Sequence, residues 1–352
     1  MDAVTKRRIK YEDEGYFTQK NGELTRAIVS EVFRRRAHTA FCWVKGHNGH
    51  PGNEAADALA GAGAKKNRED QISLEEDPTT RLTGAKLTKL TQKLAYKVIR
   101  ARKAAKTKAR PRTAERVERI MKDLDEDFKI QVTEAHLWTS LRKTYVSKEA
   151  RQWMWLTIHD GYMVGSHWLR PKMSDELRER ASCKACGQLE SMEHILFTCN
   201  ACGREVIWKL LSELWESTGL RPPIPSWGSV LGAACVAMRS PNGARQPALE
   251  QRWATLAIES ARLIWKLRCE RVIAKNGDEF PEVEVTNRWY AELERRLHLD
   301  RRIAALSHGK KRKKHIRRLE EVWSPLLAER GNLPPNWVTK SEVLVGIKRG
   351  NG

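Results

Sequence analysis

Between residues 183 and 199 the chain reads Cys183-x2-Cys186-x7-His194-x4-Cys199. Three thiolates and one imidazole satisfy the tetrahedral preference of Zn²⁺, and the short spacings are those of zinc knuckles. Gly187, directly after the second Cys, lets the backbone turn around an ion. The His-x4-Cys pair is expected near the start of a helix. Four protein donors leave no open coordination position, so the expected Zn²⁺ is structural rather than catalytic. Cys202 is a spare thiol three residues beyond Cys199. The alternative is a chance cluster of packing cysteines, which four Cys in so short a stretch make a poor account. A disulfide framework fits badly too: the chain is long, holds an odd seven Cys, and starts polar and basic with no apolar signal core. An intracellular protein, nuclear or cytoplasmic and not secreted, is expected. No apolar run approaches the roughly 20 residues a membrane span needs.

The net charge of +21 is concentrated in two places. Residues 81–112 hold twelve Lys and Arg and no acid, and residues 301–318 hold nine and no acid, so these blocks carry the whole excess. Such blocks attract polyanions by releasing condensed counterions, and nucleic acid is the commonest cellular polyanion. A solvated helix face or a tail is the plainer reading of each. In the first block Leu87, Leu90, Leu94 and Val98 recur at helical spacing beside Lys86, Lys89, Lys93, Lys97 and Arg100. That predicts an amphipathic helix with one apolar and one basic side, ended by Pro111. It suits phosphates, an acidic membrane or another domain. In the second block Lys311, Arg312, Lys313 and Lys314 follow Gly309 and Lys310, a run that fits phosphate contact or a nuclear import signal.

Periodicity predicts helices over residues 23–36, 53–64, 205–216, 253–273 and 286–299, and a short strand over 39–44. No repeat of 20–50 residues is visible. Trp153, Trp155 and Trp168 offer faces on which single-stranded bases could stack, but Trp at helical spacing beside Leu156 and Ile158 reads better as core. The same holds for Trp265, in a stripe with Leu263, Ile264 and Leu267.

A second constellation lies in residues 43–60. A strand leads into the Gly-rich loop bearing His47, and a helix capped by Asn53 carries Asp57. An imidazole on a loop near a carboxylate on a helix suits proton shuttling beside a metal-bound phosphate. The plainer reading is a surface His and a first-turn carboxylate favoured by the helix dipole.

Residues 43–60 resemble the C-terminal motif of type 1 ribonuclease H: strand, His loop and final helix. Residues 6–36, with Tyr11-Glu-Asp-Glu-Gly-Tyr16, resemble the helices that precede it. The resemblance implies an RNA–DNA hybrid ribonuclease using two Mg²⁺, with His47 assisting product release or proton transfer and Asp57 as the last of four metal-binding carboxylates. The family's other three carboxylates stand on strands and a helix that the residues before Trp43 do not match. One Asp and a neutral His cannot neutralise two divalent ions. The segment is therefore expected to be catalytically incomplete, with Mg²⁺ bound only if a complete site forms.

The Cys/His region, from about residue 139 to 215, resembles the zinc-binding region of non-LTR retrotransposon polyproteins. It implies Cys183, Cys186, His194 and Cys199 as ligands. Residues 263–272 and 287–290 resemble the tail of the same polyproteins. The expected fold is mainly α: a truncated α/β ribonuclease H-like fragment (residues 1–64), a basic helical linker (65–130), a helical zinc-knuckle domain (131–220) and a helical basic C-terminal region (245–352). The expected partner is nucleic acid (RNA–DNA hybrid, RNA or DNA), with no membrane and the oligomeric state open. Three readings follow: a retroelement remnant that binds nucleic acid, an active hybrid ribonuclease completed by carboxylates from another chain, and a zinc-scaffolded interaction protein without catalysis.

Overall fold

Apolar spacing near 3.6 residues becomes helix throughout the chain, and among the described residues no strand forms; only three isolated bridges are present. The computed structural model describes residues 2–46, 48–66, 68, 72–107, 110–340 and 342–349, with Ala105, Cys202 and Arg330 described by backbone alone. The chain divides into two compact units, Met1–Lys108 and Ala109–Gly352.

The first unit holds α1 (Arg8–Asp13), α2 (Gly22–Arg34), α3 (Pro51–Ala64) and α4 (Gln92–Lys106). Its core is small. Ala27 and Val29 of α2 are buried with Tyr16 and Leu94. Polar ties supplement it: Arg26 donates to Glu76 at 2.8 Å, the Ser30 hydroxyl accepts from the Asp77 N–H at 2.7 Å, and the Lys86 N–H donates to the Asp13 carbonyl at 2.8 Å. Pro51 opens α3, and His50 caps it by accepting from the Asn53 N–H at 3.4 Å. No residue of α3 is buried, and Leu59 is 74% exposed.

The second unit holds α5 (Pro111–Phe128), α6 (Glu134–Ser140), α7 (Lys148–Ile158), α8 (Asp175–Arg178), α9 (Cys202–Glu216), α10 (Trp227–Leu231), α11 (Pro247–Ile273), α12 (Glu282–Leu306) and α13 (Gly309–Trp323). One hydrophobic cluster runs from Val117 of α5 to Ile347. Helix α11 is its axis: every residue from Arg252 to Ile264 is buried, so it meets partners on all sides. Tryptophans fill the surrounding space, and several have their N–H groups paired. Trp253 donates to the Ser229 carbonyl and Trp289 to the Ser260 hydroxyl, each at 2.9 Å, and Trp215 meets Trp253 edge to face at 5.7 Å. Helix α10 seats on α5, where the Gly228 N–H donates to Asp123 at 2.8 Å.

Charges are buried between α11 and α12. Arg262 pairs with Glu259 at 2.9 Å and with Glu292, and Arg296 pairs with Asp300 at 2.7 Å. Burial alone would push the Glu292 carboxyl up. The Arg295 hydrogen bond and the cations Lys266 and Arg262 outweigh it and hold it down to about 2.

Several expectations are corrected. The predicted strand over residues 39–44 is irregular, with Phe41, Trp43 and Val44 exposed. A strand's N–H and C=O groups need a neighbouring strand, and none exists among the described residues, so the α/β character expected of the N-terminal fragment is not formed. Residues 81–112 are not one helix. Leu87–Lys89 form a single 3₁₀ turn, Thr91 caps α4 by accepting from the Leu94 N–H, and α4 ends at Lys106. Pro111 then opens α5 rather than ending a helix, because its missing N–H costs nothing at a first helical position. Of the predicted apolar stripe only Leu94 is buried; Leu87 is 84% exposed and Leu90 is exposed. Trp153 is core, but Trp155 is 46% exposed. The second basic block is split: Arg301 is buried, donating to the Trp337 carbonyl at 2.7 Å, while Lys311, Arg312, Lys313 and Lys314 are exposed on α13. Among the described residues no helix is long and apolar enough to cross a membrane.

Candidate metal centre and nucleic-acid surfaces

The turn after Cys183 is built by the backbone. The Gly187 N–H donates to the Cys183 carbonyl at 2.7 Å and the Cys183 N–H to the Gln188 carbonyl at 2.8 Å, which closes a tight loop around Cys186. Gly187 takes φ +72°, a left-handed conformation that a side chain would strain. His194 and Cys199 arrive on one wide turn, His194–Thr198, closed by the Cys199 N–H donating to the His194 carbonyl at 2.7 Å. Gly165, at φ +55°, fixes the loop from below: a Cβ there would lie 1.7 Å from the Glu190 carbonyl oxygen.

These turns bring the four ligand atoms within 4.8 Å of one another. Cys183 Sγ lies 3.6 Å from Cys199 Sγ, and Cys186 Sγ lies 3.4 Å from His194 Nε2. A tetrahedron with metal–sulfur bonds of about 2.3 Å and a metal–nitrogen bond of about 2.0 Å has edges of about 3.5–3.8 Å. The donor set therefore fits an ion at its centre. Nε2 of His194 faces the sulfurs while Nδ1 meets the Thr198 hydroxyl at 3.3 Å, an outer contact that fixes the ring. Burial holds the His194 imidazole below its ordinary value, so the ring is neutral at pH 7, as a ligand must be. Burial also pushes the Cys199 thiol up to about 11. At Cys183 burial acts in the same direction, but the Ala185 and Cys186 N–H groups outweigh it and lower the thiol. The side chain of Cys202 lies outside the described residues.

Sequence reasoning missed the cationic flank. Arg271 of α11 lies 3.8 Å from Cys183 Sγ and pairs with Glu279, and Arg268 pairs with the buried Glu190. Three thiolates around a Zn²⁺ would carry one net negative charge, and Arg271 stands beside Cys183, where part of that charge would fall. It is 88 residues from Cys183 in sequence, so no local spacing signals it.

Of the His/Asp constellation only Asp57 falls among the described residues. His47 lies outside the described residues. Asp57 is exposed on α3, 3.5 Å from the Asn53 amide nitrogen. Other acids of the first unit pair separately: Glu12 with Arg8 at 2.8 Å, Glu31 with Arg34 at 2.6 Å, Asp13 with Lys86 at 3.6 Å and Glu76 with Arg26. Among the described residues the Cys₃His set is the single group of three or more metal-binding side chains that converges. The predicted phosphate contacts divide in two. Lys93, Lys97 and Arg100 form one exposed stripe on α4, with Arg100 against the Tyr96 ring at 5.9 Å, while Lys86 and Lys89 precede the helix.

Residues 1–65 match the RNase H family. The first unit carries an RNase H domain sequence. It is 47% identical over 66 residues to the ribonuclease H of Chelativorans sp. (strain BNC1), covering 18% of this chain and 40% of that protein. The ribonuclease H of Alcanivorax borkumensis is 37% identical over 76 residues, covering 20% and 49%. That of Chromohalobacter salexigens is 54% identical over 43 residues, covering 12% and 25%. The chain thus spans less than half the length of these ribonuclease H relatives. No solved structure matches the chain. The RNase H segment contains α1, α2 and α3, and Asp57 falls inside it.

Proposed function

We propose that the chain is a retroelement-derived nucleic-acid-binding protein. Its RNase H segment engages RNA–DNA hybrid or related duplexes without assembling a hydrolytic centre, and its second unit is stapled by a structural zinc. The RNase H match over residues 1–65 carries the nucleic-acid reading, and the exposed basic stripe of α4 supports it. Contacts of this kind go mostly to phosphates and weaken steeply with salt. The retroelement origin rests on the resemblance of the Cys/His spacing and its flanking helices to non-LTR polyproteins.

The carboxylate layout supports the non-hydrolytic reading. Two-metal phosphodiester hydrolysis needs several carboxylates around ions about 4 Å apart. Here Glu12, Asp13, Glu31 and Glu76 are each held by a different cation. Zinc, when bound, supplies a cross-link: Cys183, Cys186, His194 and Cys199 would hold it and leave it no open position.

A second reading has one observation in its favour. Trp43 is 75% exposed and no residue of α3 is buried, an open apolar face of the kind a further sheet would cover. Carboxylates contributed by such a partner would complete a hybrid ribonuclease. One assay tests the first reading: purified protein, Mg²⁺ and a labelled RNA–DNA hybrid. Retention of the hybrid without cleavage is expected. Cleavage that disappears in Asp57→Asn would overturn it.

A further inference from the structure

Three aromatic rings of the second unit lie together away from the metal centre: Trp138 and His159 are half-buried, with Trp138 packed against the edge of the core, and Trp155 is exposed. Trp138 of α6 stacks flat on His159, with centroids 5.0 Å apart and planes 8° apart. Trp155 of α7 meets the same imidazole edge-on at 4.2 Å and 61°. The neighbouring Trp153 is buried, so α7 turns one indole inward and the other out. A single exposed Trp is unremarkable in a folded protein. Three rings held in order are different. The Thr113 hydroxyl lies 3.1 Å from His159 Nδ1, and Trp138 Nε1 donates to Glu134 at 2.9 Å. Burial, with Arg110 nearby, keeps the His159 ring below its ordinary value and therefore uncharged at neutral pH.

The charges around the rings favour an anion. Lys148 and Gln152 precede Trp155 and His159 at i, i+4, i+7 and i+11, one stripe of α7, and both are exposed. Arg110 acts on His159 from the start of α5 and is exposed. Of the adjacent acids, Asp160 is paired with Arg112 and Arg116 at 2.7 Å each and with His167 at 3.0 Å, while Glu134, which accepts from Trp138, keeps its charge on the far edge of the indole. A flat apolar face beside exposed cations matches the two halves of a nucleotide, base and phosphate.

We propose that the Trp138–His159–Trp155 cluster is a nucleobase-stacking site for single-stranded nucleic acid, with Trp155 as the stacking face and Lys148 and Arg110 meeting the flanking phosphates. The site lies wholly within the second unit and does not depend on the RNase H segment. A duplex hides its base faces, so the site distinguishes single strands from the hybrid duplex assigned to the first unit.

The test uses the full-length, zinc-loaded protein. Fluorescein-labelled single strands of about 15 nucleotides, as DNA and as RNA, and a duplex of the same sequence are titrated by anisotropy at three salt concentrations. Trp155→Ala should weaken single-strand binding about tenfold, leave duplex binding within about twofold, and leave the salt slope unchanged. Lys148→Gln should instead reduce that slope by about 0.7. Trp155→Phe keeps an aromatic face and should stay within about threefold of the parent. Zinc content and unfolding temperature, measured on each variant, show that the fold is kept. The proposal is overturned if the parent fails to bind single strands, if Trp155→Ala is indistinguishable from it, if the loss is equal on duplex, or if the Phe variant loses as much as the Ala variant.

Discussion

The two units treat apolar surface in opposite ways. In Ala109–Gly352 the middle of a 27-residue helix, Arg252–Ile264, is buried on all sides and tryptophans close around it. In Met1–Lys108 the helix that carries Asp57 buries nothing, and Trp43 and Leu59 face solvent. The difference teaches where each unit's stability comes from. The second unit has a continuous core and a candidate metal cross-link. The first relies on α2, a few buried side chains and ties such as Arg26–Glu76. Matching a family in sequence is thus separate from burying it: α3 lies within the RNase H match, yet none of its residues is buried.

The sharpest way to break this contrast is to remove the metal. Cys186→Ser, or a chelator, should release the ion and destabilise the second unit by more than about 4 kcal/mol, given the binding energies of structural zinc sites. Thermal unfolding followed by tryptophan fluorescence should show the loss. An unchanged midpoint would make the Cys₃His set a packing cluster.

Core truncation gives the next largest effect. Leu137→Ala removes a fully buried side chain and should cost about 3 kcal/mol in denaturant unfolding. A cost below about 1 kcal/mol would show the second unit to be loosely packed.

The charge layer between α11 and α12 comes third. Glu292 is held down to about 2, so its contribution is fully present above the unfolded value near 4.5 and is lost as pH falls from there through about 2. With allowance for solvent screening, Glu292→Gln should remove about 2 kcal/mol at neutral pH. The gap between variant and parent should shrink in acid. A gap that widens instead would reverse the sign assigned here.

The smallest effect belongs to the first unit. Leu59→Ala, on the open face of α3, should change stability by less than about 0.5 kcal/mol. A loss of about 2 kcal/mol would mean that this face is covered in solution.

What was legible in the sequence was whatever is decided locally. Cys183, Cys186, His194 and Cys199 were readable because ligand spacing is set by one turn and one helix start, and the structure brings these four together. Helices α9, α11 and α12 announced themselves by period, each extending a few residues beyond the predicted bounds. The failures are non-local. Residues 39–44 have strand composition, but a strand exists only in company. Pro111 could end one helix or begin another, and the structure has it begin α5 after α4 has stopped at Lys106. Trp153 and Trp155 are chemically the same and two positions apart, and the side of α7 that meets the core sets one inside and one outside. Arg271 reaches Cys183 across 88 positions, a contact no spacing rule describes.

Zinc-edge X-ray absorption on the purified protein tests the centre of this account most directly. The account predicts one zinc per chain with three sulfurs at about 2.3 Å and one nitrogen at about 2.0 Å. A zinc-free protein, or a shell of oxygen and nitrogen without sulfur, would contradict it.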